Sequence, residues 1–194
     1  FTVAINASAI QMQSGNLVNL LETLLLETGL PARCIDLELT ESLLMSNVSE
    51  TQLLLKRLKD MGIQLSIDDF GTGYSSLSYL KQFAVDRLKI DKSFIDHVTT
   101  DPNDAVIVQA TIAMAHSIGL TVIAEGVESE AQASYLRTLS CDQLQGYYFS
   151  RPIPAADVQQ LLQSNASLTL PFTEQKPSVL LVDDEPNILS ALKR

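Results

Sequence analysis

The sequence predicts an α/β barrel built from parallel strands. Short apolar runs alternate six times with longer stretches of helical periodicity, and the turns between them are brief, as in a parallel sheet covered by helices. Each apolar run closes at or near a polar residue: Asn6, Glu38, Asp68 with Asp69, Lys89, Glu125 and Gln145. An open doubly wound sheet binds at one switch point between strands, whereas a barrel gathers side chains from nearly every strand at its carboxyl face. A polar residue on each of six strands favours the barrel.

The elements follow in order. Residues 1–5 alternate as a first strand that ends at Asn6. A helix over 16–28 sets Leu17, Leu20, Leu21 and Leu24 on one face and is stopped by Gly29 and Pro31. Residues 34–39 form the second strand. Asn47 and Glu50 have capping-box spacing before a helix with Leu54, Leu58 and Met61 in one stripe, closed by Gly62. The third strand, 63–67, runs into Asp68-Asp69, with a short helix expected over 76–82. A strand over 85–90, a helix over 103–117 ending at Gly119, and a strand over 120–124 come next. A helix over 130–139, a short strand over 141–144 and a helix over 155–162 complete the pattern.

Two adjacent carboxylates at a strand end repel by roughly 1 to 4 kcal/mol at ~4 Å, so Asp68-Asp69 asks for a cation, and a divalent metal supplies most charge. Glu38 and Lys89 are a second anomaly, because strands covered on both faces should be continuously apolar. A buried charge must be paired or bound to metal. One structural ion pair accounts for Glu38 and Lys89 taken alone but leaves the other strand ends unexplained.

Composition narrows the function. The chain has 194 residues, 46% hydrophobic and 19% charged, with a net charge of -10. Such acidity argues against non-specific binding to nucleic acid or anionic membrane, so a phosphate-handling chain of this charge needs metal. No apolar run approaches the ~20 residues of a membrane span. Cys34 and Cys141 lack metal-ligand spacing, which suggests a reduced, cytoplasmic protein. The chain opens at Phe1, inside an apolar run and without methionine, as a fragment would. Gly71-x-Gly73-x-x-Ser76 lacks the third glycine of a dinucleotide fingerprint, and its acidic pair would repel a pyrophosphate. A Schiff-base role for Lys89 would not need the surrounding carboxylates. His97 and His116 have no metal spacing, and His116 reads as a partly exposed structural residue.

Five ordered motifs now stand out: Ile35-Asp36-Leu37-Glu38-Leu39-Thr40-Glu41-Ser42, Asp68-Asp69-Phe70-Gly71-Thr72-Gly73-Tyr74-Ser75-Ser76-Leu77, Leu88-Lys89-Ile90-Asp91, Ala124-Glu125-Gly126-Val127-Glu128 and Cys141-Asp142-Gln143-Leu144-Gln145-Gly146-Tyr147. Together they closely resemble the EAL domain of bacterial cyclic di-GMP phosphodiesterases, over roughly residues 1–162. The resemblance implies a (β/α)8, TIM-type barrel that hydrolyses cyclic di-GMP to linear pGpG with two Mg²⁺ or Mn²⁺ ions. It implies Asn6, Glu38 and Asp68 as ligands of one ion, with Asp68 bridging to a second ion held by Asp69 and Glu125. It also implies Lys89 and Gln145 near the attacking water and Glu41 as anchor of the loop carrying Asp68 and Asp69. A homodimer through this domain is implied as well. Among cations, Lys89 would have a depressed pKa and handle a proton near neutral pH. Glu128 serves either the rim of the site or, the reading favoured here, the cap of the helix that follows Ser129.

One feature of the family has no counterpart. Its Glu-x-Leu, a metal ligand on a strand before the Asn6 strand, is matched in letters only by Glu22-Thr23-Leu24, which lies on the leucine-rich helix. The barrel is therefore expected to be incomplete, two strands short, and this chain by itself inactive. A non-catalytic cyclic di-GMP receptor is the alternative. Residues 163–177 read as a linker. Residues 178–194, with Val182-Asp183-Asp184-Glu185-Pro186, resemble the first strand and helix start of a response-regulator receiver domain.

Overall fold

The computed structural model describes residues 2–71, 80–163 and 181–182. Their strands form one sheet in which every pairing is parallel, in the order β6-β5-β4-β3-β2-β1-β7. The strands are β1 (Val3–Asn6), β2 (Ile35–Thr40), β3 (Gln64–Phe70), β4 (Arg87–Ile90), β5 (Thr121–Ala124), β6 (Gln143–Leu144) and β7 (Leu181–Val182). Neighbours from β1 to β6 are consecutive in sequence, and the connections described in full, those of β1–β2, β2–β3, β4–β5 and β5–β6, cross over through helix and return one strand along.

The crossovers carry α1 (Ala9–Gln13), α2 (Leu17–Thr28), α3 (Glu41–Ser46), α4 (Val48–Asp60), α5 (Lys92–Ile95), α6 (Pro102–Ser117) and α7 (Glu130–Thr138); α8 (Ala155–Gln163) follows β6. Three short helices, α1, α3 and α5, escape the periodicity because four to six residues make too few turns to show it. Helix α2 buries Leu17, Val18, Leu21 and Leu24 and leaves Leu20 40% exposed, so the apolar face is rotated from the expected one. Helix α4 buries Thr51, Leu55 and Leu58, and Leu54 and Met61 of the expected stripe pack partly buried against the core beside Leu58. The Asn47 side chain makes no cap hydrogen bond, because its backbone (φ -151°, ψ 86°) departs from capping geometry. Most of the short helix expected over 76–82 lies outside the described residues.

Alternation places Leu37, Leu39, Leu65, Ile67 and Leu88 in one apolar core, each at most 2% exposed. Each such side chain contributes about 1.5–3 kcal/mol of burial. The opposite faces of the same strands bury Asp36, Glu38, Ser66 and Lys89. Strands buried on both faces, apolar outward and polar inward, set the site. Leu181 and Val182, expected to begin a separate domain, pair in parallel with Val3 and Ala4 of β1. The remainder of 178–194 lies outside the described residues.

Candidate active site

All six strand ends converge. Asn6, Glu38, Thr40, Asp68, Asp69, Lys89, Glu125 and Gln145 line one cavity of about 310 Å³ at the carboxyl end of the sheet. Every residue expected to hold metal or to lie near the attacking water is there; Glu41, expected to anchor the loop, is not among the lining residues. Thr40 was missed, although it follows Glu38 by two residues on the same face and its register partner is Asp68.

Strict alternation would send the side chains of Asp68 and Asp69 to opposite faces. The ladder between β3 and β4 shifts between Ile67 and Phe70, and Asp69 takes a left-handed φ of 55°. A bulge re-aims side chains in this way, and here both carboxylates reach the cavity. The left-handed backbone costs on the order of 1–2 kcal/mol and needs support from outside. That support includes Glu41, 4% exposed, whose Oε2 accepts the Gly71 N–H at 3.3 Å. Gly71 itself has φ 101°, and a Cβ there would sit 2.9 Å from the Phe94 ring.

Lys89, 1% exposed, is the hub. Its Nζ lies 2.7 Å from Glu38 Oε1, 2.6 Å from Glu125 Oε1 and 3.2 Å from Asp68 Oδ1. The contact with Glu38 is an ion pair close in distance yet off the hydrogen-bonding direction, for among the described residues neither buried oxygen of Glu38 has a hydrogen-bond partner. Gln145 is held by its backbone: its N–H donates to Ala124 and its carbonyl accepts from Val127. The next residue must be glycine, since a Cβ on Gly146 would meet the Val127 carbonyl oxygen at 2.2 Å. Gln145 Oε1 is also buried without a hydrogen-bond partner among the described residues.

Four carboxylates, those of Glu38, Asp68, Asp69 and Glu125, thus face one ammonium. Burial pushes Glu38 up to about 7, although Lys89 pulls the other way. Burial also raises Glu125, again against Lys89 and reinforced by Asp68. For Lys89, burial pushes the pKa down, but Glu38, Glu125 and Asp68 outweigh it and the net direction is up. That direction belongs to the metal-free cavity, where the described groups around Lys89 are anions; the depression expected of a lysine among cations concerns the same cavity with ions bound. The shifts agree with one another: Lys89 stays charged, while burial makes Glu38 and Glu125 resist ionisation.

The deficit of positive charge, the orphaned oxygens and the donor types together fit divalent cations. Ligand oxygens of Asp68, Asp69 and Glu125 lie within 4.8 Å of one another, and carboxylate and amide oxygens are what Mg²⁺ and Mn²⁺ prefer. Glu128 does not cap the following helix, as had been expected. Ser129 is the N-cap, in a capping box with Gln132, and the Glu128 carboxylate instead pairs with Lys92. His116 Nε2 lies 2.7 Å from Asp142 Oδ2, away from the cavity lining.

The chain matches the model of the EAL domain over residues 1–152. It is 46% identical over 162 residues to the cyclic di-GMP phosphodiesterase NbdA of Pseudomonas aeruginosa, covering 84% of this chain and 21% of NbdA. The chain spans about a fifth of the length of the curated relatives it matches. Among solved structures, it is similar to the phosphodiesterase PaMucR in complex with c-di-GMP: TM-score 0.78, 43% identity, 81% of this chain and 64% of that one. It is also similar to Klebsiella pneumoniae BlrP1 in a manganese and cyclic di-GMP complex: TM-score 0.73, 32% identity, 78% of this chain and 39% of that one. With a parallel half-barrel that matches these structures and a family model that covers most of its length, the chain belongs to the EAL domain family.

Proposed function

We propose that the protein hydrolyses cyclic di-GMP to linear pGpG in this cavity, with two divalent ions, Mg²⁺ or Mn²⁺, held by Asn6, Glu38, Asp68, Asp69 and Glu125. The observation that supports it best is the meeting of four carboxylates with one ammonium at converging strand ends. Bound ions would neutralise the phosphodiester and acidify a water. The chain's own groups then have defined tasks. Lys89 Nζ, fixed by three carboxylates, holds a proton where the attacking water enters. Gln145 Oε1, buried without a hydrogen-bond partner among the described residues, offers that water an acceptor. Glu41 keeps Asp69 in its strained position through the Gly71 N–H.

A second reading is a receptor that binds cyclic di-GMP without turnover, favoured by the described cavity lining, which holds no glutamate from a Glu-x-Leu strand beside Asn6. On either reading, residues 1–194 alone are proposed to bind metal and nucleotide without efficient hydrolysis. Further proposals are a homodimer through this domain, a linker at 163–177 and a receiver domain opening at 178–194. They are supported by the family resemblance and by the acidic Asp183-Asp184 after an apolar run.

The test is release of pGpG with Mn²⁺ from the chain fused behind the Glu-x-Leu segment of a relative. Asp68→Asn is expected to abolish turnover, and Glu128→Gln, on the exposed pair with Lys92, to leave most of it. Equal losses would refute the metal assignment. Binding without turnover in the unsubstituted fusion would favour the receptor.

A further inference from the structure

Beneath the cavity lies a second polar tier. Asp36, fully buried, pairs with Arg87 Nη1 at 2.5 Å, and both of its oxygens lie 2.8 Å from Ser66 Oγ. The three residues precede Glu38, Asp68 and Lys89 by two positions on β2, β3 and β4. Period-two alternation puts them on the same inward face, about 7 Å lower. The upper tier links β2 to β4 through Glu38 and Lys89, with Asp68 between. The lower tier repeats that connection through Asp36 and Arg87, with Ser66 between.

A buried ion pair is seldom worth its desolvation for stability alone, since apolar residues of like volume often do as well. Its geometric value is larger here, because Lys89 must stand within 3.2 Å of carboxylates from three different strands. Strands β2 and β4 are not neighbours, so backbone pairing fixes their separation only through β3.

We propose that Asp36 and Arg87 are positioning residues, a brace that fixes the spacing of β2, β3 and β4 so that Glu38, Asp68 and Lys89 meet in a geometry that accepts metal. The inference rests on the metal reading of the cavity. Outer partners of metal-site residues typically carry 10- to 100-fold in affinity.

The test is Mn²⁺ affinity of the 194-residue chain, by electron paramagnetic resonance, alongside its melting temperature in chelator. Arg87→Met is expected to weaken Mn²⁺ binding by about 10-fold or more. Arg87→Lys should recover part of the loss by restoring a cation to Asp36. Asp36→Asn, which keeps the shape and the Ser66 contact, should also weaken binding and serves if Arg87→Met does not fold. Lys59→Met, which removes the ion pair between Lys59 and Asp86 away from the cavity, controls for general destabilisation. A brace requires Lys59→Met to leave Mn²⁺ affinity within about twofold even where it lowers the melting temperature. Unchanged affinity in Arg87→Met and Asp36→Asn, or equal weakening in Lys59→Met, overturns the brace and leaves the metal reading standing. If the unsubstituted chain does not bind Mn²⁺, both fall.

Discussion

Lys89 Nζ on β4 and Glu125 Oε1 at the end of β5 lie 2.6 Å apart, and the same ammonium also reaches Glu38 on β2 and Asp68 on β3. One buried cation thereby ties together carboxylates from three strands, and among the described residues it is the only counter-charge lining the cavity.

Replacing Lys89 by methionine should therefore destabilise the metal-free chain strongly. Removing one partner of a buried pair costs about 3–5 kcal/mol because the other is left uncompensated. Here three carboxylates lose their ammonium. Added Mn²⁺ should then raise the melting temperature of Lys89→Met by more than that of the unsubstituted chain, since the ions take over the lost charge. Thermal melts with and without Mn²⁺ decide it, and a smaller rise in the variant would mean that Lys89 does not share its carboxylates with metal.

Glu41→Gln should weaken Mn²⁺ affinity by about 10- to 100-fold with a small effect on folding. The glutamine retains an oxygen for the Gly71 N–H but loses the charge that strengthens the contact. Calorimetric titration of Mn²⁺ into the variant checks it. Unchanged affinity would separate Glu41 from the Asp68-Asp69 loop.

Cys141 gives a pH dependence away from the cavity. Burial raises its thiol from 9.0 to about 12, with hydrogen bonding to Gln143 opposing. A raised acid holds its proton in the folded state, so its contribution to stability is complete below pH 9 and is lost between pH 9 and 12. At pH 8 the folded chain should be alkylated by iodoacetamide at Cys141 on the order of 1,000-fold more slowly than the unfolded chain, because the thiolate is the nucleophile. Peptide mapping after a timed reaction measures the ratio, and a ratio near one would contradict the burial of the thiol.

The polar strand ends were legible because Glu38 and Lys89 interrupt apolar runs that have no other reason to break. Gln145 and Asn6 were legible only as members of the set, since an isolated amide at a strand end is ordinary. Thr40 could have been found from its two-residue spacing to Glu38. The lower tier was harder: Asp36 and Arg87 each sit beside a more conspicuous charge two residues on, and their pairing depends on the lateral offset of β2 against β4, which a single sequence does not encode. Leu20 shows the same limit in a helix. A stripe of leucines has two candidate faces, and only contact with the sheet chooses between them. The bulge that re-aims Asp69 was signalled by Gly71 and Gly73 nearby, though its backbone angle was not.

The central claim is that the strand-end carboxylates form a divalent-metal centre that engages cyclic di-GMP. Calorimetric titration of cyclic di-GMP into the 194-residue chain, once with Mn²⁺ and once with chelator, tests it most directly. The account predicts saturable binding with Mn²⁺ that is lost in chelator. Equal binding under both conditions, or none with Mn²⁺ while the chain remains folded, would contradict it.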